Sequence, residues 1–249
     1  MNAAANPTIH RLSLDQLTER EMHQRLAAIA EANGSAESKE AKNSALIEIH
    51  DVHGQDFALM ALQPPVRLHV QGALGHYAFS YNFGADARID GDVGNGVGEG
   101  LRGGSVRVRG NAGLGFGVGM QAGTLAVYGT AGDRMAAAMV GGEVFARGDV
   151  GDDVGVGARG GTIVIGGDAG FRLGEPQGDL IIFIRGTARS LATGMAEAPL
   201  RKRDELRLGL LLINASIRGD AKDFRRIVSE STLRSERDRR KGEVDPNWR

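Results

Sequence analysis

Gly72, Gly91, Gly110, Gly129, Gly148, Gly167 and Gly186 follow one another at intervals of 19 residues, with no insertion or deletion in six steps. The first six are each followed three positions later by a second glycine, at 75, 94, 113, 132, 151 and 170. A period held without drift marks a chain built from stacked copies of one unit, and it constrains the fold more than any local propensity.

The other columns keep the same step. The five residues before each leading glycine alternate, with apolar second and fourth positions: Leu68/Val70, Ala87/Ile89, Val106/Val108, Leu125/Val127, Val144/Ala146, Ile163/Ile165 and Ile182/Ile184. Period two with one apolar set predicts a short strand with one buried face. Glycine pairs precede several strands, at Gly103-Gly104, Gly141-Gly142 and Gly160-Gly161, with Ala122-Gly123 close to the pattern. Two small-residue columns follow, Gly98, Gly117, Ala136, Gly155, Gly174 and Gly100, Gly119, Ala138, Gly157.

A lone strand of this length is unstable, but stacked copies pair backbone groups with the coils above and below. Glycine is costly inside a strand and useful at bends or where backbones approach closely. The expected fold is therefore all-β: a parallel β-helix of about seven 19-residue coils, a rod of roughly 35 Å at about 4.8 Å per coil. Its outward columns carry opposite charges on adjacent coils, Arg67 beside Asp86 and Asp90 beside Arg109. The middle outward column runs His69, Arg88, Arg107, Ala126, Phe145, Val164, Phe183, basic at its start and apolar at its end. An apolar strip on an outer sheet face predicts a covering contact, made either by the chain's own terminal segments or by another protein.

The repeat contains G-x-G-x-G elements, Gly94-Asn95-Gly96-Val97-Gly98-Glu99-Gly100 and Gly113-Leu114-Gly115-Phe116-Gly117-Val118-Gly119. In this it resembles the domain that closes the large subunit of glutamate synthase, and it is similar to the corresponding subunit of formylmethanofuran dehydrogenase. Leu206 to Leu233 is similar to the tail of the glutamate synthase domain, with Ile217-Arg218-Gly219-Asp220 at its T-G-S-like turn. Phe224-Arg225-Arg226-Ile227-Val228 stands at its F-x-x-V-x-P segment, with Ser229 replacing the proline. The resemblance spans about residues 65 to 233 and implies a right-handed, single-stranded helix. The organisation expected is an N-terminal helix and capping segment over 1–65, the GXGXG β-helix over 66–195 and a helical tail over 196–249.

In glutamate synthase that domain accompanies a glutaminase domain with an N-terminal cysteine, an FMN-binding barrel and iron–sulfur ligation. This chain has no cysteine, so it supplies neither that nucleophile nor the cluster's thiolates. What it resembles is the non-catalytic spacer. Stand-alone versions occur as separate subunits, as in N-methylglutamate synthase (methylamine–glutamate N-methyltransferase), beside a glutaminase-like subunit and an FMN-dependent synthase subunit. The resemblance thus implies a scaffold with no catalytic, cofactor-binding or metal-binding residue of its own, with FMN and the cluster on a partner. The other context it implies is the matching subunit of a formylmethanofuran dehydrogenase or formyltransferase/hydrolase complex, in one-carbon metabolism.

The 249 residues, 41% hydrophobic and 24% charged, suit one soluble solenoid. A net charge of −1 gives no global electrostatic case for nucleic acid. No apolar run approaches the length of a membrane span. The first residues lack a basic start with an apolar core, so a cytoplasmic protein is expected.

Outside the repeats, Ser13-Leu14-Asp15-Gln16 suggests a helix N-cap, with the helix ending near Asn33-Gly34 before a polar stretch over 35–44. Leu46–His50 alternates like a strand, and Phe57–Leu62 is an apolar segment closed by Pro64-Pro65 and expected to cap the first coil. Gly75–Gly84 is aromatic where later coils carry glycine, so Tyr77 and Phe79 join Phe145, Phe183 and the single tryptophan, Trp248, as candidate interface residues. For Trp248 both self-packing and anchoring in a partner's pocket are open. Leu200–Ile217 predicts a helix on the rod, and Asp220 an N-cap for a helix holding Phe224 and Ile227. Arg234–Lys241 predicts a solvated helix or tail.

No chemistry-bearing constellation stands out. Dinucleotide loops follow one strand and open a helix, and do not recur seven times. The six histidines fit no nucleophile–base spacing, and His50/His53 lack an evident third ligand. For Asp149, Asp152 and Asp153 a solvated corner is expected in preference to a calcium-binding β-roll site.

Overall fold

The computed structural model describes residues 9–32, 45–63, 65–215 and 219–241. Each 19-residue unit makes one coil. The strands are β3 (Arg67–Ala73), β4 (Asp86–Ile89), β5 (Ser105–Val108), β6 (Thr124–Val127), β7 (Glu143–Ala146), β8 (Thr162–Ile165) and β9 (Ile181–Ile184). They pair in parallel without slipping, so Val70, Ile89, Val108, Val127, Ala146, Ile165 and Ile184 form one file. That file and its neighbour, Leu68 to Ile182, are buried inside the coil. The alternation of apolar residues fixes this register, because a slip of one residue would turn every file into solvent.

Two further inward files complete the core. Leu74, Val93, Ala112, Ala131, Val150, Ala169 and Ala188 form single-residue parallel bridges. Val97, Phe116, Met135, Val154 and Leu173 fill the opposite wall and are buried. The solenoid is thus a packed rod with apolar side chains on every inner wall.

The corner carrying the G-x-G-x-G element alternates left-handed and right-handed backbone. Gly96, Gly98 and Gly100 have φ of +68°, +72° and +61°. The Gly96 and Gly100 amides donate to Leu114 and Val118 of the next coil, at 2.8 Å each, while Gly98 donates back to Ala78 at 3.0 Å. The alternation sends successive N–H groups up and down the rod, so each corner is tied to both neighbours. Glycine adopts this shape without steric cost. Yet Phe57, Leu59, Ala61, Tyr77, Phe79, Tyr81, Arg134, Ala136 and Ala138 adopt it too. Each of these costs roughly 1–2 kcal/mol against a right-handed residue, and the inter-coil bonds impose it.

The stack begins before residue 66, where the sequence places the boundary. β2 (Leu46–His53) pairs in parallel with β3, and β1 (Ile9–Ser13) pairs in parallel with β2. A bulge between Ile49 and Val52 with Asp51 at φ +55° absorbs the mismatch in coil length. Phe57–Ala61 is not a closing segment but the first of the alternating corners. Helix α1 (Glu19–Ala32) is inserted between β1 and β2 and buries Met22 and Leu26. Its cap is Thr18, not Ser13. The Thr18 hydroxyl and amide donate to the Glu21 carboxylate at 2.7 and 2.9 Å, and the Glu21 amide returns to Thr18 at 3.3 Å. Ser13 instead ends β1, because Ile9–Leu12 finds a partner strand. The expected stop at Asn33-Gly34, the polar stretch 35–44, Pro64 and the Ile217-Arg218 part of the turn lie outside the described residues.

At the other end the parallel order stops. β10 (Met195–Ala198), helix α2 (Lys202–Asn214), a 3₁₀ turn at Ala221–Asp223, β11 (Arg225–Ser229) and helix α3 (Glu230–Lys241) follow. β11 pairs antiparallel with β9, Ile227 opposite Ile182, and β10 pairs antiparallel with β11. The helix expected around Phe224 and Ile227 is therefore a strand. The unpaired edge of β9 offers hydrogen-bond partners to the β-branched pair Ile227-Val228, and Ile227 prolongs the inner file. Asp220 does cap, accepting from the Lys222 amide at 3.0 Å, but it caps only the 3₁₀ turn. No helix of the described residues is long and apolar enough to cross a membrane.

Candidate interaction surfaces

The leading glycines are set by space. A Cβ on Gly91 would stand 2.5 Å from both the carbonyl carbon and oxygen of Gly72. Backbone carbonyls block the same position at Gly110, Gly129, Gly148, Gly167 and Gly186. At Gly72, the first of the ladder, the carbonyl of Val52 plays this part.

Beside this ladder, side chains cap backbone amides one coil later. Asp92 accepts from the Asn111 amide at 2.7 Å, Asn111 from Thr130 at 2.9 Å, Asp149 from Asp168 at 2.8 Å, and Asp152 from Phe171 at 2.8 Å. Asp153 instead accepts from Nε and Nη2 of Arg172, each at 2.6 Å, and this pair holds its carboxyl below the usual range. These acidic side chains are thus hydrogen-bond acceptors of the coil itself. His50 and His53 face separate carboxylates, Glu48 at 3.7 Å and Asp15 at 3.5 Å. Among the described residues no three His, Cys, Asp or Glu side chains group as metal ligands.

The outer face of the sheet divides into two halves. Over β3–β5 it is charged. Asp90 receives His69 at 2.7 Å, Arg88 at 3.0 Å and Arg109 at 3.6 Å. Burial pushes the Asp90 carboxyl up, but hydrogen bonds from His69 and Arg88 outweigh it and hold it below its ordinary value. The expected Asp90–Arg109 pairing is present, whereas Asp86 takes Arg107 of the next coil at 2.8 Å.

Over β6–β9 the face is apolar and covered. Ala126, Phe145, Val164 and Phe183 pack under Leu208, Leu211 and Leu212 of α2 and Ala215 just after it, with Ala221 and Phe224 beside them. Phe145 and Phe183 are fully buried. Of the two covers the sequence allowed, the chain's own tail takes this strip, so neither phenylalanine is free to meet another protein. Phe79 is also withdrawn. It shares its left-handed backbone with Tyr77 and Tyr81 on either side, but its ring is wholly buried in the coil core.

Tyr77 stays at the surface, 39% exposed, stacked on Phe57 at 5.4 Å between centroids and 9° between planes. Tyr81 and Phe83 are comparably exposed nearby. The negative charge of Glu99, and the hydrogen bond the Tyr81 hydroxyl donates to it at 3.2 Å, push the ionisation of Tyr81 up, and Arg102 lies 5.0 Å over the Phe83 ring. These rings make an aromatic corner on the first coils. Trp248 lies outside the described residues.

A second surface escaped the sequence reading. α2 buries Leu208, Leu211 and Leu212, yet Leu206, Leu210 and Ile213 on its other side are 73%, 65% and 73% exposed. The unbroken apolar run Leu210–Ile213 carried that signal, since one helix face cannot bury four consecutive residues.

No protein-family model matches the chain, and no curated protein matches it.

Proposed function

We propose that the chain is a non-catalytic scaffold subunit of a glutamate synthase-like, FMN-dependent complex of the N-methylglutamate synthase kind. In this reading it packs between a glutaminase-like subunit and an FMN-dependent synthase subunit, and FMN and the iron–sulfur cluster belong to the synthase. The observation that carries the reading is the G-x-G-x-G corner repeated on a drift-free 19-residue register, the feature in which the chain resembles the glutamate synthase domain. The cysteine-free sequence is in keeping with a cluster held elsewhere. A rigid rod that places an aromatic corner at one end and a helix-covered face at the other is suited to holding two larger subunits apart.

Tagging the chain in its native host and purifying it under mild conditions tests this. The expected product is a coloured complex with flavin absorbance and two larger subunits, one with glutaminase activity. A colourless chain recovered alone would overturn the reading. Recovery with formyltransferase-type subunits would replace it with the formylmethanofuran dehydrogenase context.

A further inference from the structure

We propose that Asn95-Gly96 is a site of spontaneous covalent modification gated by the coil that follows it. It is sealed while Leu114 holds it, and once opened it becomes an isoaspartyl linkage around which the coil cannot close. The proposal stands apart from the scaffold reading and uses none of its premises. Asparagine before glycine is the pair most prone to deamidate, because glycine has no side chain to shield its backbone nitrogen. That nitrogen gives its proton to hydroxide and attacks Cγ of Asn95. A C–N bond closes a cyclic imide, the Cγ–Nδ2 bond breaks, and Nδ2 leaves as ammonia with a proton from water. Water then opens the imide at either carbonyl, giving aspartate or isoaspartate.

The folded coil withholds both reacting groups. The Gly96 amide donates to the Leu114 carbonyl at 2.8 Å, and Oδ1 of Asn95 accepts from the Leu114 amide at 2.8 Å. Nucleophile and carboxamide are thus held by one residue of the next coil. The main chain of Asn95 is held from the other side. Its amide donates to Nδ1 of His76 at 2.9 Å, and its carbonyl accepts from the Tyr77 amide at 2.7 Å. Gly96 is buried with the Tyr77 ring over it, which keeps solvent base from the nitrogen.

The two products differ in what the coil can accept. Aspartate already stands at the equivalent place two and three coils on, where Asp133 and Asp152 accept from the amides of Asp152 and Phe171, at 2.8 Å each. Isoaspartate instead routes the main chain through Cγ. It lengthens the coil by a methylene and exchanges the carbonyl that holds Leu114 with the one that holds Tyr77. The drift-free period has no slack for this, since Gly91 and Gly110 already stand against the backbone of the preceding coil.

The test incubates the full chain at mildly alkaline pH, folded and in urea, and follows the tryptic peptide Ile89–Arg102 by mass and retention. The chain's other Asn-Gly pair, Asn33-Gly34, falls on Leu26–Lys39 and is scored separately. Deamidation at Asn95 is expected to be roughly a hundredfold or more slower in the folded chain, because it waits on opening of the coil. Across sub-denaturing urea its rate should rise in step with amide hydrogen exchange at Gly96 and Leu114. After deamidation in urea and refolding, protease-resistant chains should carry aspartate at position 95, and the digested fraction isoaspartate. Asn95→Asp should fold and melt with the parent. Equal rates in the folded and unfolded chain, a folded rate indifferent to urea while Gly96 exchange quickens, equal recovery of the two products after refolding, or an Asn95→Asp variant that does not fold would each overturn the proposal.

Discussion

The ring of Tyr77 lies over Gly96 so closely that a Cβ on the glycine would stand 2.5 Å from two ring carbons. The aromatic first coil and the glycine of the next coil are therefore one arrangement: the ring occupies the place a side chain would take. Gly96→Ala should cost roughly 1–2 kcal/mol for the left-handed backbone, plus the displacement of the ring. Combining it with Tyr77→Ala removes the second part, so a double-mutant cycle in urea should give a favourable coupling. At Gly115, with φ +69° and only a Val118 methyl at 3.1 Å, alanine should show the backbone cost and little more.

Gly91 fails differently. Its backbone is outside the left-handed region, yet a methyl there would press on the Gly72 peptide. A carbonyl cannot swing aside as a ring can, so Gly91→Ala must separate two coils. The expected loss is about 3 kcal/mol or more, with faster amide exchange in β3 and β4 and little change in β8 and β9. Uniform loss of protection along the rod would argue against this local account.

The strand files and the glycine ladder were legible because a 19-residue period writes the same environment seven times. The two uses of glycine were not separable in sequence: close approach at Gly91 and left-handed backbone at Gly96 spell the same letter. Phe57, Leu59 and Ala61 hid the first corner, because its shape is imposed by bonds from neighbouring coils and not by residue preference. The Phe224–Ile227 segment misled for a related reason. A strand there depends on the open edge of β9, some 40 residues earlier in the chain, which no local window contains. For Phe145 and Phe183 the sequence predicted a cover and left its source open, since packing of α2 is a tertiary choice.

The two apolar clusters lie on opposite faces of the sheet. Damage to the outer one should therefore spare the coils. Leu208→Asp places a charge among Phe145, Val164 and Phe183 and should detach α2, making 199–215 susceptible to limited proteolysis. The far-UV circular dichroism of the β-rod should persist. Leu125→Ala, inside the coil, is expected to cost about 2–5 kcal/mol and to lower the melting temperature of the whole rod. If Leu208→Asp unfolds the chain as completely as Leu125→Ala, the clusters are not independent.

The tail is fastened by four charges. Arg201 donates to Asp204 at 2.6 and 2.9 Å and to Glu236 at 2.6 Å. Arg226, almost wholly buried, donates to Glu236 at 2.7 and 3.1 Å, and its Nε stands 3.5 Å from Asp204. Burial pushes both carboxyls up, but hydrogen bonds and charge from the two arginines outweigh it, so Asp204 and Glu236 titrate below their ordinary values. With folded pKa values lowered, the unfolded chain takes up protons first as pH falls. The stabilisation is complete above about pH 5 and drains away as pH drops through the ordinary carboxylate range near 4 towards the lowered values. Amide exchange in β11 and α2 should therefore quicken in acid before that of β5–β7, whose inner files carry no charge. Glu236→Gln should cost about 2–3 kcal/mol at neutral pH, less than a fully buried pair because the carboxylate is partly exposed. The same variant should flatten the acid dependence of β11 exchange, and an unchanged slope would locate the acid-sensitive contact elsewhere.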